Sequence, residues 1–435
     1  MPYRTLPDSD LKYHLISFEK NGKERADDPD GVDGSMSARI LETLKAGDFT
    51  DVFLFSHGWL NDVPRATGSY NDWIGAVVGS TDHLQAMQAR PQGFRPLLIG
   101  FHWPSLPFGD HKLTGPASFG TGAEVTVSLN PVDDAADAIA DTPAARAALK
   151  TIFDAAMDDM SPDEMPSEVV EAYKVLWAEA GLGLDGVAGA PGSEGEMFDP
   201  ERLYEDALDE DMSFAGGVFG PLLKGLGLTS YWTMKKRARS IGESGAATLL
   251  RTLLDATDAS VGFHLMGHSF GCIVISSTLA GAGGDAPLSR PVNTLFLAQG
   301  AVSCWAYTPE IPIADGQPGY FRALHNGKIS GVWATTQSVY DSAVGTQYPL
   351  ATSRRSVSFG PTDGTPRADG ALGAFGVQGP GFELVNRSMV AVDAAYDFQA
   401  GTVYNLEGSD YIKDHSDLAN AEVAHAFWSA VRAAV

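Results

Sequence analysis

The pattern of apolar and polar residues along the chain predicts short buried strands that alternate with helices. Runs such as VFLFS, LLIGF and TLFLA are apolar at almost every position. Strands covered by helices on both faces have this pattern, whereas strands with one face in water alternate apolar and polar residues. The pattern therefore favours an α/β fold with a mainly parallel central sheet flanked by helices. The predicted strands cover residues 52–56, 97–101, 262–266, 294–298, 329–334 and 402–406.

Two further elements are predicted near the two ends of the sequence. Residues 13–27 predict a hairpin around Asn21-Gly22, a residue pair that favours a type I′ turn. Residues 418–435 predict a closing helix, with Asp417 as its N-cap. These elements would precede and follow the alternating strands and helices.

The middle of the chain departs from this alternation. Residues 106–229 contain 24 acidic and 6 basic side chains, so they carry most of the formal charge of −25. Apolar spacing predicts helices over residues 131–160, 163–180 and 200–211. We expect an acidic, mainly helical cap at 106–229, inserted into an α/β core formed by residues 1–105 and 230–435. The apolar, glycine-rich residues 214–234 are expected to form a packed connector or a lid.

Composition and charge exclude several classes of function. With 55 acidic and 30 basic residues among 435, the chain is poorly suited to bind nucleic acid or anionic lipid. Its two cysteines, Cys272 and Cys304, cannot build a disulfide framework and are expected to be buried free thiols. Neither an apolar secretion signal nor a membrane-spanning run is expected, so the predicted location is the cytoplasm. The sequence leaves the oligomeric state open.

The strongest chemical signal is the pentapeptide Gly267-His268-Ser269-Phe270-Gly271. It follows a predicted strand and precedes an apolar helix, CIVISSTLA, and so matches a nucleophile elbow of the form G-x-S-x-G. Such a turn is too tight for side chains at its flanking positions, which explains the two glycines, and it exposes the serine hydroxyl. The sequence therefore predicts Ser269 as a nucleophile, with Gly267, His268 and Gly271 as supporting residues.

A serine hydroxyl needs a base to accept its proton and a carboxylate to orient that base. In this topology both residues follow the serine, in the order acid then histidine, each after a later strand. Asp341 and His415 satisfy this order and are the predicted acid and base. Alternatives that the sequence leaves open are His425, His325 and His57 for the base, and Asp363, Asp393, Asp397, Glu310 and Asp315 for the acid.

A tetrahedral intermediate also requires two backbone donors for its oxyanion. The amide of Phe270, directly after the nucleophile, is the first predicted donor. The strand at 52–56 leads into His57-Gly58-Trp59, where Gly58 gives the loop conformational freedom and the amide of Trp59 is the second predicted donor. His57 is expected to fix this loop by hydrogen bonding rather than to act as the base.

Metal-binding patterns in the sequence are weak. Asp28-x-Asp30-Gly31-x-Asp33 is similar to the start of a calcium loop, but it lacks the twelve-residue register and the terminal glutamate. Asp410, Asp414 and Asp417 around His415 are better explained as residues that cap the following helix. We therefore expect no metal site.

The HGW turn, the GHSFG elbow and the late aspartate and histidine resemble the α/β-hydrolase superfamily. More narrowly, FSHGWLND, FHWPS and the helix before the elbow look like bacterial predicted serine esterases of unassigned function. The similarity covers roughly residues 52–105 and 230–435. It implies acyl-enzyme chemistry without a metal or cofactor, with the roles assigned above to Ser269, Asp341, His415, Trp59 and Phe270.

These features together predict a serine hydrolase that cleaves small carboxylic esters. Residues 214–234 with Trp59, Trp103 and Trp305 suggest a pocket for a hydrophobic acyl group. One alternative is a peptidase or amidase with the same triad. Another is a non-catalytic relative of hydrolases that binds a basic partner protein through its acidic cap.

Overall fold

A nine-stranded sheet forms the centre of the protein in a computed structural model. The model describes residues 4–7, 9–106, 131–159, 161–162, 164–183, 199–209, 221–314, 316–347 and 370–435. The strands are β1 (Arg4–Thr5), β2 (Lys12–Ser17), β3 (Asp51–Ser56), β4 (Pro96–His102), β5 (Gly262–His268), β6 (Val292–Ala298), β7 (Ile329–Gln337), β8 (Leu384–Ser388) and β9 (Val403–Glu407).

The sheet is parallel except at one edge. Its strand order is β1-β2-β4-β3-β5-β6-β7-β9-β8, and only β1 runs antiparallel to its neighbour. All six predicted strands are present, with ends within three residues of the predicted ones. The prediction of an α/β fold with a mainly parallel sheet is therefore confirmed. The edge strand β8 escaped prediction because its sequence, LVNRS, is half polar and its side chains are only partly buried.

Helices cover both faces of the sheet. In β3, Val52 and Leu54 belong to one apolar core, whereas Phe53 and Phe55 belong to another, as expected for side chains that alternate between faces. The helices are α1 (Met36–Ala46), α2 (Val63–Gly79), α3 (Thr81–Gln88), α4 (Pro131–Ala138), α5 (Pro143–Asp158), α6 (Ser167–Glu179), α7 (Pro200–Asp209), α8 (Pro221–Ile241), α9 (Ala247–Asp255), α10 (Gly271–Ala280), α11 (Leu372–Phe375) and α12 (Ala421–Ala433). The first core includes helices α1, α8, α9 and α10, and the second includes α2, α3 and α12.

The helices of the acidic segment have an apolar core of their own. Residues of α4, α5, α6 and α7 cluster with Leu222 and Leu226 at the start of α8. Residues 131–160 were predicted as one helix, but Thr142 caps the start of α5 by accepting from the amide of Ala145 and so separates it from α4. The division of the chain into core and cap stays a prediction.

Other local elements can be compared with their predictions. Residues 221–234, within the segment expected to be a packed connector or a lid, are helical and belong to α8, and this helix buries Leu226 and Tyr231 although the glycines at 225 and 227 lower helix propensity. Asn420, not Asp417, caps α12 by accepting from the amide of Val423. The predicted hairpin around Asn21-Gly22 is present but short. The backbone amide of Glu19 donates to the carbonyl oxygen of Lys23, that of Arg25 donates to Ser17, and one antiparallel bridge joins Phe18 and Glu24.

No helix among the described residues is long and apolar enough to cross a membrane. Cys272 and Cys304 are both buried thiols, as predicted. The cytoplasmic location stays a prediction.

Candidate active site

The pentapeptide with Ser269 forms a sharp turn between β5 and α10. Ser269 has φ of 54°, in the left-handed region that a residue with a side chain rarely adopts. A Cβ atom on Gly267 would lie 2.5 Å from the carbonyl oxygen of Gly271, and one on Gly271 would lie 2.2 Å from that of Ser56. Both flanking positions therefore require glycine for steric reasons, as the motif predicts.

Asp341 and His415 meet in a buried pair, although 74 residues separate them. Asp341 follows the end of β7 and His415 follows β9, and these strands are neighbours in the sheet. The Nδ1 atom of His415 lies 2.9 and 2.8 Å from the two carboxylate oxygens of Asp341, and the amide of Val344 donates to Oδ1 at 3.2 Å. The carboxylate can therefore orient the imidazole with Nδ1 protonated.

This pair lies against the Ser269 turn. The Nε2 atom of His268 donates to the carbonyl oxygen of His415 at 2.7 Å, and the two imidazole rings are 4.8 Å apart. Burial, with a smaller effect from His415, lowers the pKa of His268 well below its usual value. His268 is therefore a neutral donor that attaches the His415 loop to the residue before Ser269.

On the other side of Ser269 lies the loop after β3. A Cβ atom on Gly58 would lie 2.8 Å from Cβ and 3.3 Å from Oγ of Ser269, so only a glycine fits without displacing them. Ser105 fixes the loop by accepting from the amides of Leu60 at 3.1 Å and Asn61 at 2.9 Å. Phe270 lies at the start of α10, directly after Ser269, and its amide as first donor stays a prediction. The Trp59 amide as second donor stays a prediction.

Three aromatic rings connect this loop with the Ser269 turn and with α8. The ring of Trp59 stacks on that of Phe270 at 5.7 Å, and Tyr231 meets both edge-on, at 5.7 and 5.1 Å. The other two tryptophans predicted for an acyl pocket lie elsewhere. Trp103 is fully buried behind the loop, and Trp305 packs with Cys304 and Ile311.

His57 supports the loop, as expected from the sequence. Its Nδ1 donates to the carbonyl oxygen of Gly58 at 2.8 Å, which leaves Nε2 as an acceptor. Nε2 lies 3.3 Å from Nδ1 of His102 and 3.4 Å from the amide of Trp103. Burial, reinforced by His102, lowers the pKa of His57 to about 3, and burial lowers that of His102 to about 4. Both rings are therefore neutral at pH 7.

The alternative bases do not share the site. His425 is on α12, where its Nε2 donates to the carbonyl oxygen of Ala394, and its Nδ1 lies 2.8 Å from His83. His325 stacks on Phe382 with ring centres 4.0 Å apart.

The alternative acids do not meet His415 either. Asp397 pairs with Arg387, while Glu310 and Asp393 are exposed. Asp315 and Asp363 lie outside the described residues. Asp341 is thus the acidic side chain that the described structure brings to His415.

The loop with the weak calcium pattern forms local turns. Asp28 accepts from the amide of Asp30 through its side chain and from the amide of Gly31 through its carbonyl. Within the described residues, no group of three or more histidine, cysteine, aspartate or glutamate side chains could hold a metal ion.

Sequence reasoning missed Gln299, the residue directly after β6. It is fully buried, has φ of 46°, and donates to both Asp341 and the carbonyl oxygen of Asp414. No motif marks a lone glutamine at the end of a strand. The sequence signal that could have indicated Gln299 was its place at the end of a predicted strand, because the carboxyl end of β6 adjoins those of β5 and β7 in a parallel sheet.

Replacement of Gly58 by alanine is expected to lower the rate at which a fluorophosphonate probe labels Ser269 about 100-fold, because the new methyl group would displace the Ser269 side chain. The backbone of Gly58 does not have positive φ, so the effect would be steric. Gly75→Ala is the control, since no atom lies within 4 Å of its added Cβ in α2. Equal kinetics of both variants and the wild type would contradict this assignment of the loop.

Comparison of the chain with protein-family models, with curated proteins and with solved structures gives no match.

Proposed function

We propose that this protein is a serine hydrolase of the α/β-hydrolase type that cleaves carboxylic esters. The observation that carries the proposal is the position of Ser269. It occupies a left-handed turn between strand and helix, next to a buried Asp341–His415 pair and opposite the Gly58 loop. Backbone strain of this kind persists where the surrounding structure imposes it and is concentrated at functional sites.

The proposed reaction proceeds through an acyl-enzyme. Ser269 Oγ attacks the ester carbonyl carbon while His415 Nε2 accepts the hydroxyl proton, and Asp341 stabilises the resulting imidazolium. The C–O bond to the alcohol then breaks, and His415 returns the proton to the leaving oxygen. Water repeats these steps on the acyl-enzyme, which releases a carboxylic acid and regenerates Ser269. The amides of Phe270 and Trp59 would stabilise the oxyanion in both halves.

Strand order and the separate helical core support the assignment of the fold. Parallel strands place Ser269, Asp341 and His415 after β5, β7 and β9, at the carboxyl edge of one sheet, where α/β proteins bind ligands. The helices of residues 131–209 share a core with the start of α8, as an inserted cap would. The proposed fold therefore includes an inserted helical cap.

A hydrophobic acyl group is the proposed substrate feature. The rings of Trp59, Phe270 and Tyr231 pack together beside Ser269, so the groups around the nucleophile on this side are aromatic. A medium-length acyl chain would bury more apolar surface there than an acetyl group, and each methylene in such a pocket is worth about 1–3 kcal/mol.

The test is covalent labelling with a fluorophosphonate probe, followed by mapping of the modified peptide. We expect one labelled residue, Ser269, together with turnover of p-nitrophenyl butyrate and octanoate above that of the acetate. Ser276 in α10, which bonds to the hydroxyl of Tyr307, serves as an internal control and should stay unlabelled. An unlabelled wild type that does not hydrolyse the esters would refute the proposed function. A flat chain-length series would refute only the acyl preference.

A further inference from the structure

Gln299 connects three parts of the candidate site through hydrogen bonds. Its Nε2 donates to Oδ2 of Asp341 at 3.4 Å and to the carbonyl oxygen of Asp414, the residue before His415, at 2.7 Å. Directly before it, the carbonyl oxygen of Ala298 accepts from the amide of Ser269 at 3.2 Å. The end of β6 thus contacts the segments of the nucleophile, the acid and the base.

The conformation of Gln299 is held by its surroundings. The φ of Gln299 is 46°, which is unfavourable for a residue with a side chain of this size. Its backbone amide donates to Oγ1 of Thr336 at 3.1 Å. Gly373 at α11 packs so closely that a Cβ there would lie 2.6 Å from the carbonyl carbon of Gln299. A strained, fully buried polar residue is maintained only when neighbouring contacts determine it.

The chemistry of the amide suits this position better than a carboxylate would. The side-chain Nε2 of Gln299 contacts two hydrogen-bond acceptors, the Asp341 carboxylate and the carbonyl oxygen of Asp414, and it can donate to both. Because the side-chain amide is neutral, it adds no second negative charge beside Asp341. Another carboxylate at this distance would repel that of Asp341. The charge on Asp341 would then be less available to His415.

We infer that Gln299 is a positioning residue that holds the Asp341 carboxylate and the His415 loop in one arrangement. This inference rests on the proposed function. The side chain reaches Asp341 and the main chain of Asp414, so it acts on the reaction through the acid and the base. Loss of its two bonds should misplace the imidazole relative to Ser269, and small misplacements of catalytic groups cost up to about 100-fold in rate.

The test compares Gln299→Met with the wild type and with Gln337→Met. Gln337 is the matched control because it ends the neighbouring strand β7, yet its side chain makes no hydrogen bond to Asp341 within the described structure. We expect Gln299→Met to lower kcat for p-nitrophenyl butyrate and the fluorophosphonate labelling rate about 10- to 100-fold, with KM unchanged. Gln337→Met should retain wild-type kinetics.

Gln299→Glu provides a second measurement that does not depend on how well the methionine variant folds. The introduced acid can donate to Asp341 when protonated but repels it when ionised, so activity relative to wild type should fall as pH rises. A folded Gln299→Met with wild-type kcat, or a pH-independent activity ratio for Gln299→Glu, would overturn the inference alone. A wild type that neither labels nor turns over ester would overturn the proposed function and, with it, this inference.

Discussion

Replacement of Ser269 by alanine is expected to lower kcat for p-nitrophenyl butyrate by about 10⁶-fold and to abolish fluorophosphonate labelling. In the proposed mechanism the hydroxyl of Ser269 is the attacking atom, and loss of a serine nucleophile removes nearly everything that its base and acid contribute. The fold should remain intact, because Ser269 is held in its turn by backbone bonds to Ala298 and Ala301. Steady-state kinetics and thermal unfolding on the same preparations measure both effects.

Ser276→Ala is the matched control for this substitution. Ser276 is also buried, lies in the helix that follows the turn, and bonds to Tyr307. We expect a loss of about 1 kcal/mol in unfolding free energy and unchanged kcat. Substantial activity of Ser269→Ala would show that the reaction does not depend on Ser269, whereas a comparable loss in Ser276→Ala would show that the loss is not specific to the proposed nucleophile.

Replacement of Asp51 by alanine is expected to lower the free energy of unfolding by about 3–5 kcal/mol. Asp51 is fully buried at the start of β3 and accepts from Arg90 at 2.5 Å, from Thr50 at 2.6 Å and from His264 at 3.3 Å. Burial alone would raise its pKa, but the bonds from His264 and Arg90 outweigh burial and hold the pKa below its usual value. The variant would leave the largely buried guanidinium of Arg90 without its counter-charge.

The kinetics of the Asp51 variant should match the wild type below its melting temperature. Asp51 pairs with Gly262, the first residue of the parallel strand β5, whereas Ser269 follows the end of that strand, roughly 20 Å away. Asp48→Ala is the control, because Asp48 is 92% exposed in its pair with Arg95 and should contribute at most about 1 kcal/mol. Urea unfolding that places both variants within 1 kcal/mol of each other would contradict the role of the buried network.

The sequence determined most of the sheet, because strands buried on both faces have long apolar runs. It could not determine β8, whose half-polar sequence lies at the edge of the sheet, nor the helix over residues 221–234. The glycines at 225 and 227 lower helix propensity, yet burial of Leu226 and Tyr231 outweighs that local preference. A local sequence pattern indicates the secondary-structure preference of a segment and whether it is buried, but it does not indicate which other segments it packs against.

The residues of the candidate site were likewise predictable from the sequence only in part. The sequence by itself identified Ser269, because an elbow is a local device whose glycines and flanking elements lie within a few residues. Chain order and strand positions indicated Asp341 and His415 among several alternatives. Only the tertiary structure brought that aspartate within 2.8 Å of the histidine and left the described alternatives elsewhere. It alone placed Gln299 beside them, since contacts between the ends of adjacent parallel strands depend on sheet order, which joins residues far apart in sequence.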